Sequence, residues 1–98
     1  MKVKNLIDII KGHKEFILDT VSDNKFYCYE ISNQKDFVFL EVSSIKDEDD
    51  INKEDILSFL EESNPETEVR AGWELVYSDE VYSTPIIINS NYKAQLVA

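Results

Sequence analysis

Carboxylates are the side chains most able to do chemistry in this sequence, and half of them lie close together. Residues 47–68 contain ten Asp and Glu residues and a single Lys. Carboxylates grouped in this way can coordinate a divalent cation, act as a general acid and base, or bind Lys and Arg side chains of another molecule. The segment carries a net charge of 1 − 10 = −9, within a total of −10 for the 98 residues.

Two of these chemistries are poorly supported by the spacing. Asp50, Asn52 and Glu54 follow each other like the first ligands of an EF-hand calcium loop. However, Asp55 occupies the position that needs Gly, and an apolar helical stripe begins at Ile56, inside the supposed loop. Ten acids in one segment also leave no distinctive carboxylate pair for glycoside hydrolysis. We therefore expect no metal site and no cofactor.

Cys28 and His13 are the only residues that suggest nucleophilic catalysis. Cys28 alternates with Phe26 in a strand-like segment, where a small buried side chain is the simpler interpretation. A single Cys excludes an internal disulfide and a cysteine-based zinc site. Gly12 and Gly72 stand alone, so there is no glycine-rich phosphate loop. The expectation is a protein that is not an enzyme.

Two helices are predicted from apolar side chains that recur every three or four residues. The first has Val3, Leu6, Ile7 and Ile10 on one face, and Gly12 is expected to end it. The second is expected to begin after Asn52 as N-cap and to end at Asn64-Pro65. Its apolar stripe consists of Ile56, Leu57, Phe59 and Leu60.

Six strands are predicted from short runs rich in β-branched and aromatic residues. They are residues 16–21, 26–31, 37–42, 73–77, 85–88 and 92–97, with turns at 22–25, 33–36 and 89–91. We expect an α+β fold in the order α-β-β-β-α-β-β-β. Its antiparallel sheet would consist of a three-strand meander plus the C-terminal strands, with the first helix on one face. Two Gly, two Pro and no linker predict a single compact domain over residues 1–98.

The acids around the second helix are expected to share one surface. Glu54, Asp55, Glu61 and Glu62 fall on the arc opposite the apolar stripe. The helix dipole favours acids in the first turn but not at the last, so Glu61 and Glu62 are less well explained by a solvated face. Both a solvated face and a cation-binding ridge remain open. The candidate partner-binding residues are Asp47, Glu48, Asp49, Asp50, Glu54, Asp55, Glu61, Glu62 and Glu66.

The composition excludes several classes of protein. A chain with 43% hydrophobic and 11% aromatic residues is not expected to be disordered. Its acidity argues against direct binding to a nucleic-acid backbone, which requires clustered Lys and Arg. Charges interrupt the first residues too often for a signal peptide, and no apolar run approaches the roughly 20 residues that cross a bilayer. A soluble protein of the cytoplasm is expected.

Three aromatic residues in the C-terminal part are candidates for a second role. Trp73, Tyr77 and Tyr82 lie where the strand pattern is least regular. Because Tyr and Trp are favoured interface anchors, one or two of them are candidates to flank the acids. Core packing is the favoured interpretation for Trp73.

The layout of the chain resembles a known family. The opening helix of residues 3–11, the three short strands, the acidic second helix and Gly72-Trp73-Glu74 resemble small phage-encoded type II-A anti-CRISPR inhibitors in order, size and charge. The chain departs from that pattern after Trp73, where residues 85–88 are strand-like and those inhibitors continue acidic and helical.

This resemblance implies a DNA mimic that blocks an RNA-guided CRISPR nuclease in the host cytoplasm. Such nucleases read a short PAM with bidentate arginines and hold nucleic acid in basic channels, which carboxylates can occupy. The partner would then be a basic nucleic-acid-binding protein, with no membrane and no nucleic acid bound directly. The alternatives are an immunity protein that neutralises a nuclease toxin, and a phage accessory or structural protein whose acidity confers solubility.

Overall fold

The computed structural model describes residues 1–20, 24–74, 81–89, 91 and 93–97. The elements are α1 (Val3–Lys11), β1 (Leu18–Asp19), β2 (Lys25–Asn33), β3 (Phe37–Ser43), α2 (Lys53–Glu61), β4 (Glu68–Glu74), β5 (Val81–Ile88) and β6 (Ala94–Leu96). The predicted strands 16–21, 73–77 and 92–97 and the turns 22–25 and 89–91 lie partly outside the described residues, and Tyr77 lies wholly outside them. Neither helix in the described ranges is long and apolar enough to cross a membrane.

The predicted open antiparallel sheet is wrong, because the six strands close into a barrel. Their order around the barrel is their order in the sequence, and β6 lies next to β1. The β3–β4 and β1–β6 pairs are parallel, whereas the other four pairs are antiparallel. Parallel neighbours cannot be joined by a tight turn. The chain between β3 and β4 therefore forms a crossover, and α2 is its helix.

β3 shows in its own sequence that it is not an ordinary meander strand. Val38, Phe39 and Leu40 are consecutive and all buried, so both faces of the strand are covered. A strand that is buried on both faces has a continuous apolar run instead of alternating apolar and polar residues. This pattern is typical of parallel pairing, and β3 indeed pairs in parallel with β4.

The barrel interior and the two helices share one hydrophobic core. The buried residues of α1 are Val3, Leu6, Ile9 and Ile10, and those of α2 are Ile56 and Leu60. They belong to the same cluster as Val38, Leu40 and Val42 of β3 and Val69 and Ala71 of β4. The predicted apolar stripes are confirmed in part: Ile7, Leu57 and Phe59 are only partly buried against the core, and Ile9, which was not in the predicted stripe, is buried. The outer face of α2 is left to its acids.

The two helices begin in different ways. Asn52 caps α2, because its side-chain oxygen accepts a hydrogen bond from the Asp55 N–H at 2.8 Å, which confirms the predicted N-cap. No side chain caps α1. Its first N–H groups instead donate to the turn before β4: Val3 to the Thr67 carbonyl at 2.9 Å and Lys4 to the Pro65 carbonyl at 3.1 Å. This arrangement brings the start of α1 against the end of the acidic segment.

Candidate functional site

The first four acids lie in the loop between β3 and α2, and two of them hold the loop together. The Asp50 carboxylate accepts a hydrogen bond from the Asp47 N–H at 2.8 Å, and the Asp47 carboxylate accepts one from the Asp49 N–H at 3.0 Å. The Asp50 N–H closes the same turn by donating to the Asp47 carbonyl at 3.1 Å. Asp47 and Asp50 therefore have a structural role, whereas Glu48 and Asp49 are exposed on a turn of fixed shape.

The loop leads into the first turn of α2, where two further acids follow after Ile51, Asn52 and Lys53. Glu54 and Asp55 are both exposed on the helix. Glu54 lines a hollow of about 420 Å³ together with Asp47, Glu48 and Asp50. We call this loop and helix end the acidic surface, which consists of Asp47, Glu48, Asp49, Asp50, Glu54 and Asp55.

Three lysines also lie near the acidic surface, and one of them donates a hydrogen bond to a backbone carbonyl of another segment. Lys14, Lys46 and Lys53 line the same hollow as Glu54. The Lys53 ammonium donates a hydrogen bond to the His13 carbonyl at 2.7 Å. The Lys46 ammonium lies 6.0 Å from the centre of the Tyr27 ring. Lys53 therefore ties α2 to the end of α1 through a backbone carbonyl.

The remaining predicted partner-binding acids, Glu61, Glu62 and Glu66, lie at or just beyond the far end of α2. Lysines from the first eleven residues of the chain pair with two of them. Glu66 accepts hydrogen bonds from both Lys2 and Lys4, each at 2.7 Å. The Glu61 carboxylate lies 3.9 Å from the Lys11 ammonium. Glu62 is exposed and forms no ion pair among the residues that the structure describes. The structure therefore divides the predicted ridge into the acidic surface at one end and lysine-paired acids at the other.

The Lys2–Glu66–Lys4 cluster changes the acidity of its carboxyl group. Hydrogen bonds from Lys2 and Lys4 lower the pKa of Glu66 from 4.5 to about 2, because they stabilise the ionised form. The same contact raises the pKa of Lys2. Since the cluster is exposed, solvent screens it, and its effect on stability is smaller than the pKa change alone would indicate.

Acid should weaken this cluster. A carboxyl group whose pKa is lower in the folded state stabilises the fold above its unfolded pKa, and this contribution is lost as the pH falls. We expect the thermal midpoint of Glu66→Gln to lie below that of the natural chain at pH 7 and the two midpoints to converge between pH 4.5 and 2. Glu62→Gln is the control, and an equal effect of both substitutions would contradict the assignment.

A stack of aromatic rings lies at one end of the barrel. The Phe26 and Trp73 rings are 5.2 Å apart between centroids and inclined by only 16°, and the Tyr82 ring is 4.7 Å from that of Trp73. Trp73 follows the buried Val69 and Ala71 at alternate positions of β4, so it points to the barrel interior. Its predicted place against the core is confirmed.

The same ring stack forms part of a cavity of about 810 Å³. Phe26, Val42 and Trp73 line it from the barrel, and Tyr29 lines it as well. Residues 43–45 and three acids of the loop, Asp47, Asp49 and Asp50, complete the lining. Barrel mouths and clefts with a few convergent polar groups are common ligand sites. We call this cavity the mouth cavity.

Tyr29 reaches the mouth cavity through an irregularity of β2. The antiparallel register with β3 shifts between Cys28, which pairs with Val42, and Glu30, which pairs with Glu41. Tyr29 is therefore the extra residue of a β-bulge, a feature that redirects side chains and is frequent beside functional sites. Tyr29 is 38% exposed.

Cys28 does not have the surroundings of a reactive thiol. Its side chain is 4% exposed, and its sulfur donates a hydrogen bond to the Glu30 carbonyl at 3.3 Å. Burial raises the pKa of the Cys28 thiol to about 12, so the nucleophilic thiolate is scarce near neutral pH. Within the described ranges, no three His, Cys, Asp or Glu side chains converge to hold a metal ion.

Comparison with known proteins gives no further guide to the site. No family model, curated protein or solved structure matches the chain. The acidic surface and the mouth cavity share Asp47, Asp49 and Asp50.

Proposed function

We propose that this protein binds a basic, nucleic-acid-binding surface of another protein and blocks it without catalysis. One observation carries the proposal: the acidic surface gathers six carboxylates onto one loop and one helix end. Residues 47–55 hold those six acids and only Lys53, a net charge of 1 − 6 = −5. The Lys53 ammonium is hydrogen-bonded to a backbone carbonyl of another segment.

The acids at the two ends of the predicted ridge differ in whether they form ion pairs with lysines. At the far end, lysines from the start of the chain hold Glu66 and lie close to Glu61. On the acidic surface, Glu54 and Asp55 form no ion pair among the described residues. Like charges held close together repel each other and are relieved when a cationic partner binds. The acidic surface is therefore the end that is better suited to a basic partner.

A nucleic-acid-binding site is the kind of partner that such a surface fits best. These sites present Lys and Arg to a row of phosphates, and a carboxylate accepts the same bidentate hydrogen bonds from Arg as a phosphate does. The resemblance noted in the sequence adds a specific partner, a type II-A RNA-guided nuclease. Such an enzyme reads its PAM with arginines and holds nucleic acid in positively charged channels.

The test is a competition experiment with a guide-loaded type II-A nuclease and a labelled target duplex. We expect the natural chain to displace the duplex, with a strong dependence on salt because exposed charges are screened. The double variant Glu54→Gln/Asp55→Asn should inhibit at least about tenfold less well, a loss of about 1.4 kcal/mol of binding free energy.

The matched control is Asp8→Asn/Asp36→Asn, which removes two exposed carboxylates away from the acidic surface. Both double variants change the net charge from −10 to −10 + 2 = −8. Equal inhibition by the two variants would show that total charge matters and the acidic surface does not. Absence of displacement by the natural chain at a large molar excess would reject the nuclease as the partner.

A further inference from the structure

We infer that the mouth cavity binds an arginine side chain of the basic partner. The inference rests on the proposed function and goes beyond it, because it names the residue type that is recognised and the place where it binds. It depends on a combination of features that the acidic surface alone does not have: aromatic and apolar side chains line the same cavity as three carboxylates.

The apolar walls of the mouth cavity indicate that it accepts more than a solvated ion. Phe26, Val42 and Trp73 line it from inside the barrel. At the rim, Tyr29 is 38% exposed and Ile45 is 73% exposed, so two large side chains present apolar surface to solvent. Apolar surface concentrated at a cavity rim is typical of an interaction site. An occupant with an aliphatic stem and a planar end would cover it.

The aspartates that line the mouth cavity determine which charge a bound side chain must carry. Asp47, Asp49 and Asp50 all line the mouth cavity, and two of them already stabilise the loop. The Asp49 carboxylate accepts no hydrogen bond from the described part of the chain. An anionic occupant would be repelled, and a neutral apolar one would desolvate these carboxylates without compensation. A cationic side chain, in contrast, would be attracted by these carboxylates.

Arginine fits this combination better than lysine does. Its guanidinium group is planar, stacks on aromatic rings and offers five donors in a fork that matches a carboxylate. A lysine ammonium is compact and strongly hydrated and has no flat face to place against Tyr29. The aliphatic part of arginine can also lie along apolar walls. The mouth cavity is therefore expected to prefer arginine to lysine, although both side chains carry one positive charge.

The two groups that would contact the guanidinium are held in position by the backbone. Tyr29 is placed by the bulge of β2. The loop that carries Asp49 is anchored next to it, because the Ile51 N–H donates to the Cys28 carbonyl at 3.0 Å. A site that is already formed avoids part of the ordering cost of binding.

The experiment uses the only tryptophan of the chain as a reporter. Trp73 lines the mouth cavity, so its fluorescence should respond to an occupant there and not to a ligand on α2. The probes are tetra-arginine and tetra-lysine peptides with blocked termini at low ionic strength. We expect tetra-arginine to give a saturable change in fluorescence. It should bind about two to five times more tightly than tetra-lysine, the factor that corresponds to one exposed cation–π contact.

Two substitutions at the cavity test the aromatic ring and the carboxylate separately. Tyr29→Leu keeps an apolar side chain but removes the ring, so the preference for arginine over lysine should disappear. Asp49→Asn should weaken both peptides by about two- to fivefold, as expected for one exposed ion pair. Tyr27→Leu is the control, since Tyr27 lies on the same strand and does not line the mouth cavity.

The outcomes distinguish this inference from the proposed function. Calorimetric binding of tetra-arginine with unchanged Trp73 fluorescence would overturn the inference and leave the acidic surface as the binding site. Equal affinity for the two peptides, or no binding of tetra-arginine, would also overturn it. A fluorescence titration that succeeds while the nuclease competition fails would support the arginine site and reject only the proposed function.

Discussion

Replacing Gly72 by alanine is expected to destabilise the fold strongly, because the added methyl group has no room between β4 and β5. A β-carbon at this position would overlap the carbonyl oxygen of Tyr82 and would lie 2.9 Å from Cζ of Phe39. The carbonyl belongs to the neighbouring strand β5, which is paired with β4 on both sides of the contact. The two strands would have to separate, at a cost of about 3 kcal/mol of unfolding free energy or more.

The chain contains a matched control for this substitution, because it has only one other glycine. A β-carbon at Gly12 would lie 3.5 Å from the Ile9 carbonyl, which is ordinary contact, and its φ of −83° suits alanine. Gly12→Ala should therefore be neutral or stabilise by about 0.4–1 kcal/mol. Urea denaturation followed by circular dichroism measures both variants. A loss below about 1 kcal/mol for Gly72→Ala would show that β4 and β5 are less closely packed than described.

Shortening Leu60 to alanine is the second substitution with a large expected effect. Leu60 is fully buried where α2 packs against the core, and it is 0% exposed. Removing its side chain loses burial and leaves a cavity, for which we expect about 2–5 kcal/mol of lost unfolding free energy. Because α2 carries Glu54 and Asp55, the same substitution tests whether the acidic surface depends on this packing.

Leu57→Ala is the control on the same helix, since Leu57 is only half-buried. We expect it to lose about 1 kcal/mol, because less apolar area is returned to water. Equal losses for the two leucines would mean that α2 is rotated about its axis relative to the structure. Chemical denaturation with a fluorescence readout of Trp73 would measure both.

The local parts of this fold could be predicted from the sequence. The spacing of Val3, Leu6 and Ile10 and the cap at Asn52 specify helices through contacts between residues that are close along the chain. The burial of Cys28 also followed from its alternation with Phe26. Each of these signals depends only on residues that are close along the chain, so none of them depends on how the strands pair.

The barrel could not be predicted in the same way, because its closure depends on pairings between distant segments. β1 is only two residues long, and among the described residues it pairs with β6 at a single register position, Asp19 with Gln95. Two parallel pairs replace antiparallel ones. The apolar run of β3 was a sequence signal for the β3–β4 pair but not for the β1–β6 pair. The prediction of an open sheet treated that run as an ordinary alternating strand.

The candidate site was also predicted only in part. The acids of the loop and of α2 are evident in the sequence, and the exposed arc of α2 follows from its period. The lysine partners of Glu61 and Glu66 come from the first eleven residues, so counting charges within residues 47–68 could not find them. The mouth cavity was missed, because Phe26, Trp73 and Asp49 come together only when the barrel closes.

The bulge at Tyr29 has a consequence for how copies of this chain meet one another. In the described ranges, β1 pairs with β2 only at Lys25 and Phe26, so the later residues of β2 have a strand partner on one side alone. An unpaired strand edge invites edge-to-edge aggregation, although the Ile51 N–H already occupies the Cys28 carbonyl of β2. The bulge breaks the regular row of backbone donors and acceptors, and the Glu30 carboxylate beside it repels a second copy of itself. We therefore expect the irregularity that presents Tyr29 also to disfavour pairing of β2 with a second copy of the chain.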